Sequence, residues 1–214
     1  MKLYDYFRSS AAYRVRIGLQ LKGLDYESVP VHLIRGGGEH LKPEYRAVNP
    51  SALVPALVDE GATITQSLAI LEYLDEVHPL MPLMPRDALG RARVRSLAML
   101  IACDIHPINN LRILRYLVRE AGLTEDAKNA WYVHWVREGF AALETQLSGS
   151  DDTGRFCHGD SPTIADCVLV PQVFNAVRFN LDMAPYPTIA RIDAVCRELP
   201  AFMAAHPSQQ ADAE

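Results

Sequence analysis

Pro79, Pro82 and Pro85 punctuate the stretch from His78 to Asp87, and this stretch divides the chain into two parts of different character. Proline fixes φ and brings no N–H, so the stretch reads as a stiff surface linker. Before it, strand and helix patterns alternate; after it, no strand signal is convincing. The 214 residues supply ample material for a core. A hydrophobic share of 49% and a charged share of 22% are those of an ordinary globular protein. The net charge of −5, without a dense Lys/Arg run, argues against a nucleic-acid partner. No charged start precedes an apolar run, and no run approaches a membrane span, so a cytoplasmic protein without a membrane partner is expected. Cys103, Cys157, Cys167 and Cys196 are widely spaced, with no CxxC or Cys/His metal pattern. They read as buried thiols in a reducing compartment.

In the first part, Leu3-Tyr4-Asp5-Tyr6-Phe7 reads as a strand that ends at Arg8-Ser9-Ser10. A helical pattern through Ala11, Val15, Gly18 and Leu19 follows at once. Ser9 and Ser10 therefore stand at a helix N-cap, where free N–H groups and the helix dipole favour an anion. From these residues alone, plain capping and anion binding both remain open. Gly23 stops the helix, and Tyr26 to Val31 alternates as a second strand, completing a βαβ unit. Gly36-Gly37-Gly38, between His32 and Pro43, lacks the spacing of a phosphate loop and predicts a mobile loop. A short helix at Pro43–Arg46 closes at Asn49-Pro50. Leu53 to Val58 is the third strand, with Pro55 at its entry, and Asp59-Glu60-Gly61 turns the chain into a short return strand, Ala62–Ile64. Gln66-Ser67 opens an apolar helix through Leu68, Ile70, Leu71, Leu74 and Val77. The order is β-α-β-α-β-β-α.

The second part is helical throughout. Leu89 to Glu120 carries one helical period, with a kink expected at Pro107. On that helix His106 and Asn110 share a face, and Arg112 sits well round from His106. Thr124 to Leu147 is a second long helix. Thr163 and Asp166 form a short capping box for a third, which contains Pro171. Thr188 to Leu199 is the last helix, and the polar residues from His206 onward are expected to fray.

A β-α-β-α-β-β-α domain with proline at the third strand's entry, joined by a proline-rich linker to a helical domain, resembles a soluble glutathione transferase. Phe7-Arg8-Ser9-Ser10, followed by Arg14-Val15-Arg16-Ile17, is similar to the zeta-class signature. Asn49-Pro50, Val54-Pro55, Gln66-Ser67-Leu68-Ala69-Ile70, Pro171-Gln172-Val173, Arg178-Phe179 and Tyr186-Pro187 match the class as well. The resemblance runs in register over essentially the whole chain. One position departs from it: Ala11 stands where the signature has cysteine.

The resemblance implies an α/β thioredoxin-like N-terminal domain at residues 1–80 that binds glutathione. An all-α C-terminal domain at residues 88–214 would bind substrate. It implies that Ser9 activates the glutathione thiol, with Ser10 and Ala11 beside it. Val54 would bind the tripeptide backbone across a cis bond to Pro55, and Gln66 and Ser67 would hold the γ-glutamyl carboxylate. His40, His106 and Asn110 fall at glutathione-contacting positions. Arg8 and Arg178, with Arg112 as a third, would bind a dicarboxylate substrate. Arg14 and Arg16 suit the fold better than the reaction, because they lie inside the helix, and His134 reads as structural. The activity implied is cis–trans isomerisation of maleylacetoacetate. Maleylpyruvate isomerisation, or a general glutathione transferase or ligand-binding role, stands as the alternative. A homodimer is the family's usual assembly.

Overall fold

The computed structural model describes residues 1–214. They fall into two compact units, Met1–Leu83 with Arg197–Glu214, and Met84–Cys196.

The first unit contains a four-stranded sheet in the order β2-β1-β3-β4. Its strands are β1 (Lys2–Asp5), β2 (Glu27–Pro30), β3 (Ala56–Asp59) and β4 (Ala62–Thr65). β1 runs parallel to β2 and antiparallel to β3, which pairs antiparallel with β4. The third strand starts after Pro55 rather than at Leu53, because proline has no N–H to give the ladder. Helices α1 (Ser10–Leu21), α2 (Pro43–Val48) and α3 (Ser67–Val77) complete the order read from the sequence.

Leu3, Val15, Leu19, Leu57, Ile70 and Leu74 form one buried cluster, and Tyr6, Phe7, Val31, Tyr45 and Val54 form another. Each such side chain contributes about 1.5–3 kcal/mol by leaving water. Gly18 lets α1 approach α3, since a Cβ at that position would collide with Leu71.

Arg16 is fully buried. It donates to Asp5 Oδ2 at 3.0 Å, to the Phe7 carbonyl at 2.9 Å and to the Ala205 carbonyl at 3.1 Å. A buried guanidinium is tolerated only when its donors are met in this way. Asp5 Oδ1 has no hydrogen-bond partner, and burial pushes its carboxyl above the usual range against the pull of Arg16.

The loop at the glycine run contains two 3-10 turns, Arg35–Gly37 and Glu39–Leu41, with positive φ at Gly36, Gly37 and Gly38. One expectation for this unit changes. The residues from His206 onward do not fray. They follow α9 (Pro200–Ala205), which packs on α1, through a 3-10 turn at Pro207–Gln209. Asp212 then accepts the Phe7 N–H at 3.0 Å. Gln210 Nε2 donates to the Ala204 and His206 carbonyls at 3.0 and 2.9 Å, so polar tail residues meet backbone groups of the first unit.

The second unit holds α4 (Ala88–Met99), α5 (Leu111–Arg119), α6 (Glu125–Ser148), α7 (Ile164–Arg178) and most of α8 (Pro187–Arg197). The single kinked helix expected over 89–120 is broken instead. A π-helical stretch, Leu100–Ile105, precedes Pro107, and His106 N–H bonds the Ile101 carbonyl at 2.9 Å, an i→i+5 bond. A 3-10 turn at Pro107–Asn109 follows, and α5 starts afresh. The widened turn meets the steric demand of Pro107. His106 and Asn110 therefore do not share one helix face. Cys103, on the π stretch, is exposed, correcting its expected burial; the other cysteines are buried.

Candidate glutathione and substrate sites

The register of the sheet gathers the site. Tyr4 pairs with Ala56, and Ala56 pairs with Thr65, so the end of β1, the start of β3 and the end of β4 lie at one edge. Asp5 pairs with Pro30, which brings the end of β2 to the same edge. Ser9 follows β1, Val54 precedes β3, Gln66 follows β4, and the loop carrying His40 follows β2. Strand pairing brings the first three of these stretches to one end of the sheet, and the loop carrying His40 leaves β2 at the same end.

Ser9 is the N-cap of α1, with φ −68° and ψ 117°, and its Oγ accepts the Ala12 N–H at 3.2 Å. That bond uses the oxygen as an acceptor and leaves the hydroxyl proton available to a sulfur or oxyanion outside the helix. Ser10 is the first helical residue and is buried; Ala11 is half-buried. Arg8 is half-buried, 5.4 Å over the Phe7 ring, and donates to the Tyr6 hydroxyl at 3.4 Å.

The Val54–Pro55 bond is cis, as the resemblance implied. The preceding carbonyl, of Leu53, accepts from Tyr45 Oη at 2.6 Å and from Asn49 Nδ2 at 2.7 Å. Asn49 Oδ1 accepts the Ser51 N–H at 3.1 Å. Burial pushes the Tyr45 hydroxyl up to about 12, so it remains a donor at any physiological pH. From the sequence Tyr45 was part of the short helix expected at Pro43–Arg46, with no role at the site.

Gln66 enters α3 at φ +70° and ψ 117°, a left-handed conformation rare for a residue with a side chain. No side chain caps α3. Ser67 is buried, and its Oγ accepts from Arg14 Nη1 at 3.2 Å. Arg14 thus brings a buried cation from the signature helix to the start of α3, a link that helical periodicity could not disclose. His40 is buried in the second 3-10 turn, and Gly38 gives it room, since a Cβ there would lie 2.5 Å from His40 Cε1.

In the helical unit, His106 ends the π-helical stretch. Asn110 caps α5, its Oδ1 accepting the Arg112 N–H at 3.1 Å, which leaves its amide donors free of that bond. Arg112 is exposed on the first turn of α5. Arg178 is exposed at the last turn of α7, 5.8 Å from the Phe174 ring centroid. Its neighbour Phe179 stacks on Tyr132 with centroids 3.6 Å apart and planes at 7°. Burial pushes the Tyr132 hydroxyl up to about 12, opposed by the charge of Arg178. His134 packs edge-on against Trp135 at 4.9 Å.

A thioredoxin-like unit with serine at the first helix start, a cis-proline and an uncapped second helix start, together with a helical unit, defines the soluble glutathione transferase class. Residues 8–77 match the glutathione S-transferase N-terminal domain family, and residues 126–208 match its C-terminal domain family. A probable maleylacetoacetate isomerase of Vibrio cholerae is 52% identical over 99% of this chain and 97% of its own. A solved holo maleylpyruvate isomerase, described as a bacterial zeta-class glutathione S-transferase, is 50% identical, with TM-score 0.97 over 100% of both chains. A maleylacetoacetate isomerase of Methylobacterium extorquens AM1, solved with bound malonate and glutathione, is 41% identical, with TM-score 0.96 over 100% of both chains. The chain belongs to the glutathione transferase family, in its zeta class.

Proposed function

We propose that this chain is a glutathione-dependent cis–trans isomerase that converts maleylacetoacetate to fumarylacetoacetate. The observation that carries the reading is the pairing, at one sheet edge, of two unlike helix starts. Ser9 has its acceptor side engaged and its proton available, and the start of α3 is uncapped and backed by buried Arg14. These groups fit a peptide that carries a thiol at one point and a carboxylate at another.

In this reading residues 1–80 bind glutathione and the helical part within 88–214 binds substrate. Glutathione, when bound, supplies the nucleophilic thiol for reversible addition to a conjugated double bond. Ser9 donates a hydrogen bond to the sulfur, and the positive end of α1 favours thiolate, moving an ordinary thiol pKa of about 8.5 toward neutrality. Ser10 and Ala11 border that position. Ala11 brings no thiol of its own. Gln66 and Ser67, with Arg14 behind, hold the γ-glutamyl carboxylate. Val54 pairs the peptide backbone through main-chain groups, and His40, His106 and Asn110 make further glutathione contacts. Arg8, Arg112 and Arg178 supply cations for the two substrate carboxylates and for charge that develops on the conjugated carbonyl.

Maleylpyruvate is the second substrate reading, favoured by the maleylpyruvate isomerase at 50% identity. Conversion of each maleyl acid to its fumaryl isomer, followed by proton NMR with and without glutathione, tests both. Rapid conversion only with glutathione is expected, and the better substrate names the activity. Negligible rates on both at saturating glutathione would leave a general transferase or ligand-binding protein instead.

A homodimer is also part of this reading. Exposed Val77, Leu80 and Met81 in the first unit, and exposed Leu89 and Met99 in the second, supply apolar surface for a second copy. A monomer mass in light scattering would overturn it. No helix is long and apolar enough to cross a membrane, and the cytoplasm is the proposed location; recovery of the native protein in a membrane or secreted fraction would count against it.

A further inference from the structure

The segment beyond α9 has no place in the proposed chemistry, yet two of its carboxylates reach the loops that carry the glutathione site. Phe7 directly precedes Arg8 and Ser9. Three short bonds, each within 3.0 Å, hold the turn from Tyr6 to Ser9: Ser9 N–H to the Tyr6 carbonyl at 2.9 Å, Arg16 Nη2 to the Phe7 carbonyl at 2.9 Å, and Phe7 N–H to Asp212 Oδ2 at 3.0 Å. The first two are made within the opening residues. The third comes from a residue 205 positions away.

The loop between β2 and His40 is held in a similar way. Glu39 closes its base from inside, accepting the His32 N–H on Oε2 at 2.8 Å, while Glu39 N–H bonds the His32 carbonyl at 2.7 Å. His32 Nδ1 accepts the N–H groups of Ile34 at 3.1 Å and Arg35 at 2.7 Å, which assigns the ring proton to Nε2. That Nε2 lies 3.3 Å from Glu214 Oε1 without a hydrogen bond, and the same oxygen is met by Arg35 Nη2 at 2.5 Å, the contact that anchors Glu214. Between these anchors and His40 lie three successive glycines at positive φ, a stretch with little stiffness of its own.

We propose that Asp212 and Glu214 are positioning residues for the glutathione site, a strap that holds the Tyr6–Ser9 turn and the His32–Leu41 loop in their binding geometry. The proposal rests on the reading that Ser9 and His40 hold glutathione. The two anchors differ in weight. Asp212 meets a backbone N–H in a half-buried setting, where a charge-assisted bond is effective. The Glu214–Arg35 pair is exposed on both sides and screened by water.

The test uses Asp212→Ala, Asp212→Asn and Glu214→Gln in the full chain. Asp212→Ala raises the glutathione KM roughly fivefold and leaves kcat within about twofold. Asp212→Asn keeps a carbonyl oxygen for the Phe7 N–H and returns KM to within about twofold of wild type. Glu214→Gln changes KM by about twofold at most. Backbone amide exchange speeds up over residues 6–9 in Asp212→Ala and over residues 32–41 in Glu214→Gln. Unaltered exchange and KM in Asp212→Ala, with wild-type glutathione binding intact by calorimetry, overturns the strap alone. A lower melting temperature with unchanged KM reduces Asp212 to fold maintenance and overturns it too. Failure of the wild type to bind glutathione overturns the proposed function and takes this role of the strap with it.

Discussion

The helix starts at α1, α3 and α7 are finished in different ways. At α7 the cap is closed on itself: Asp166 Oδ2 accepts both the N–H and the hydroxyl of Thr163 at 2.8 Å, and Oδ1 accepts the Cys157 N–H at 2.8 Å. Burial pushes the Asp166 carboxyl up, opposed by those donors, and nothing is left for a ligand. At α1 the cap is half closed, because Ser9 accepts from Ala12 and keeps its own proton for use elsewhere. At α3 no side chain caps the helix, Gln66 is held left-handed, and a buried arginine stands behind Ser67. The α7 start satisfies itself, while the starts of α1 and α3 leave a donor unspent.

Breaking the closed cap should cost most. Asp166→Ala strands two buried N–H groups and is expected to destabilise the protein by about 3 kcal/mol, read from the urea midpoint. Glutathione affinity per folded molecule should not change, and a selective loss of affinity would erase the distinction between the starts. Next is Ser9→Ala, which removes a hydrogen bond to a charged sulfur and should lower the isomerisation rate roughly 10- to 100-fold. The accompanying loss of stability should be only about 1 kcal/mol. A rate within a few-fold of wild type would reduce Ser9 to a plain cap.

Ser67→Ala should then raise the glutathione KM about tenfold at nearly constant kcat, because it removes a contact made equally in ground and transition states. A fall in kcat instead would move the α3 start into the chemical step. The smallest effect concerns Glu214. Arg35 holds its carboxyl below the ordinary value of 4.5, so its contribution is complete above that value and fades as pH falls through the lowered one. Melting temperatures of wild type and Glu214→Gln should differ slightly near neutrality and converge at strongly acid pH. Divergence on acidification would contradict the sign.

Much of this was legible in the linear chain. Ser9 declared itself as a cap by following a strand and preceding a helical period, and Thr163 with Asp166 did so by their spacing. Pro55 marked where β3 begins. Pro107 marked a fault in the second part, but not its form, since a kink, a π turn and a fresh helix all accommodate a residue that has no N–H. Arg14 and Arg16 were legible as fold-stabilising; that Arg14 meets Ser67, and that Arg16 meets Ala205, was not. Asp212 and Glu214 lay in the polar stretch from His206 onward that was expected to fray.

The sequence by itself determined the order of elements in the first part and the capping residues at the starts of α1 and α7; it marked a break near His78–Asp87, but the structure returns Arg197–Glu214 to the first unit. Order and caps depend on φ limits, capping side chains and hydrophobic period, which act within a few residues. Only the tertiary structure decided which starts share an edge, through the pairing of Tyr4 with Ala56 and of Ala56 with Thr65. It likewise decided which charges lie buried behind them and which distant carboxylate closes on Phe7. Those choices are made by packing between segments far apart in the chain, where no local preference reaches.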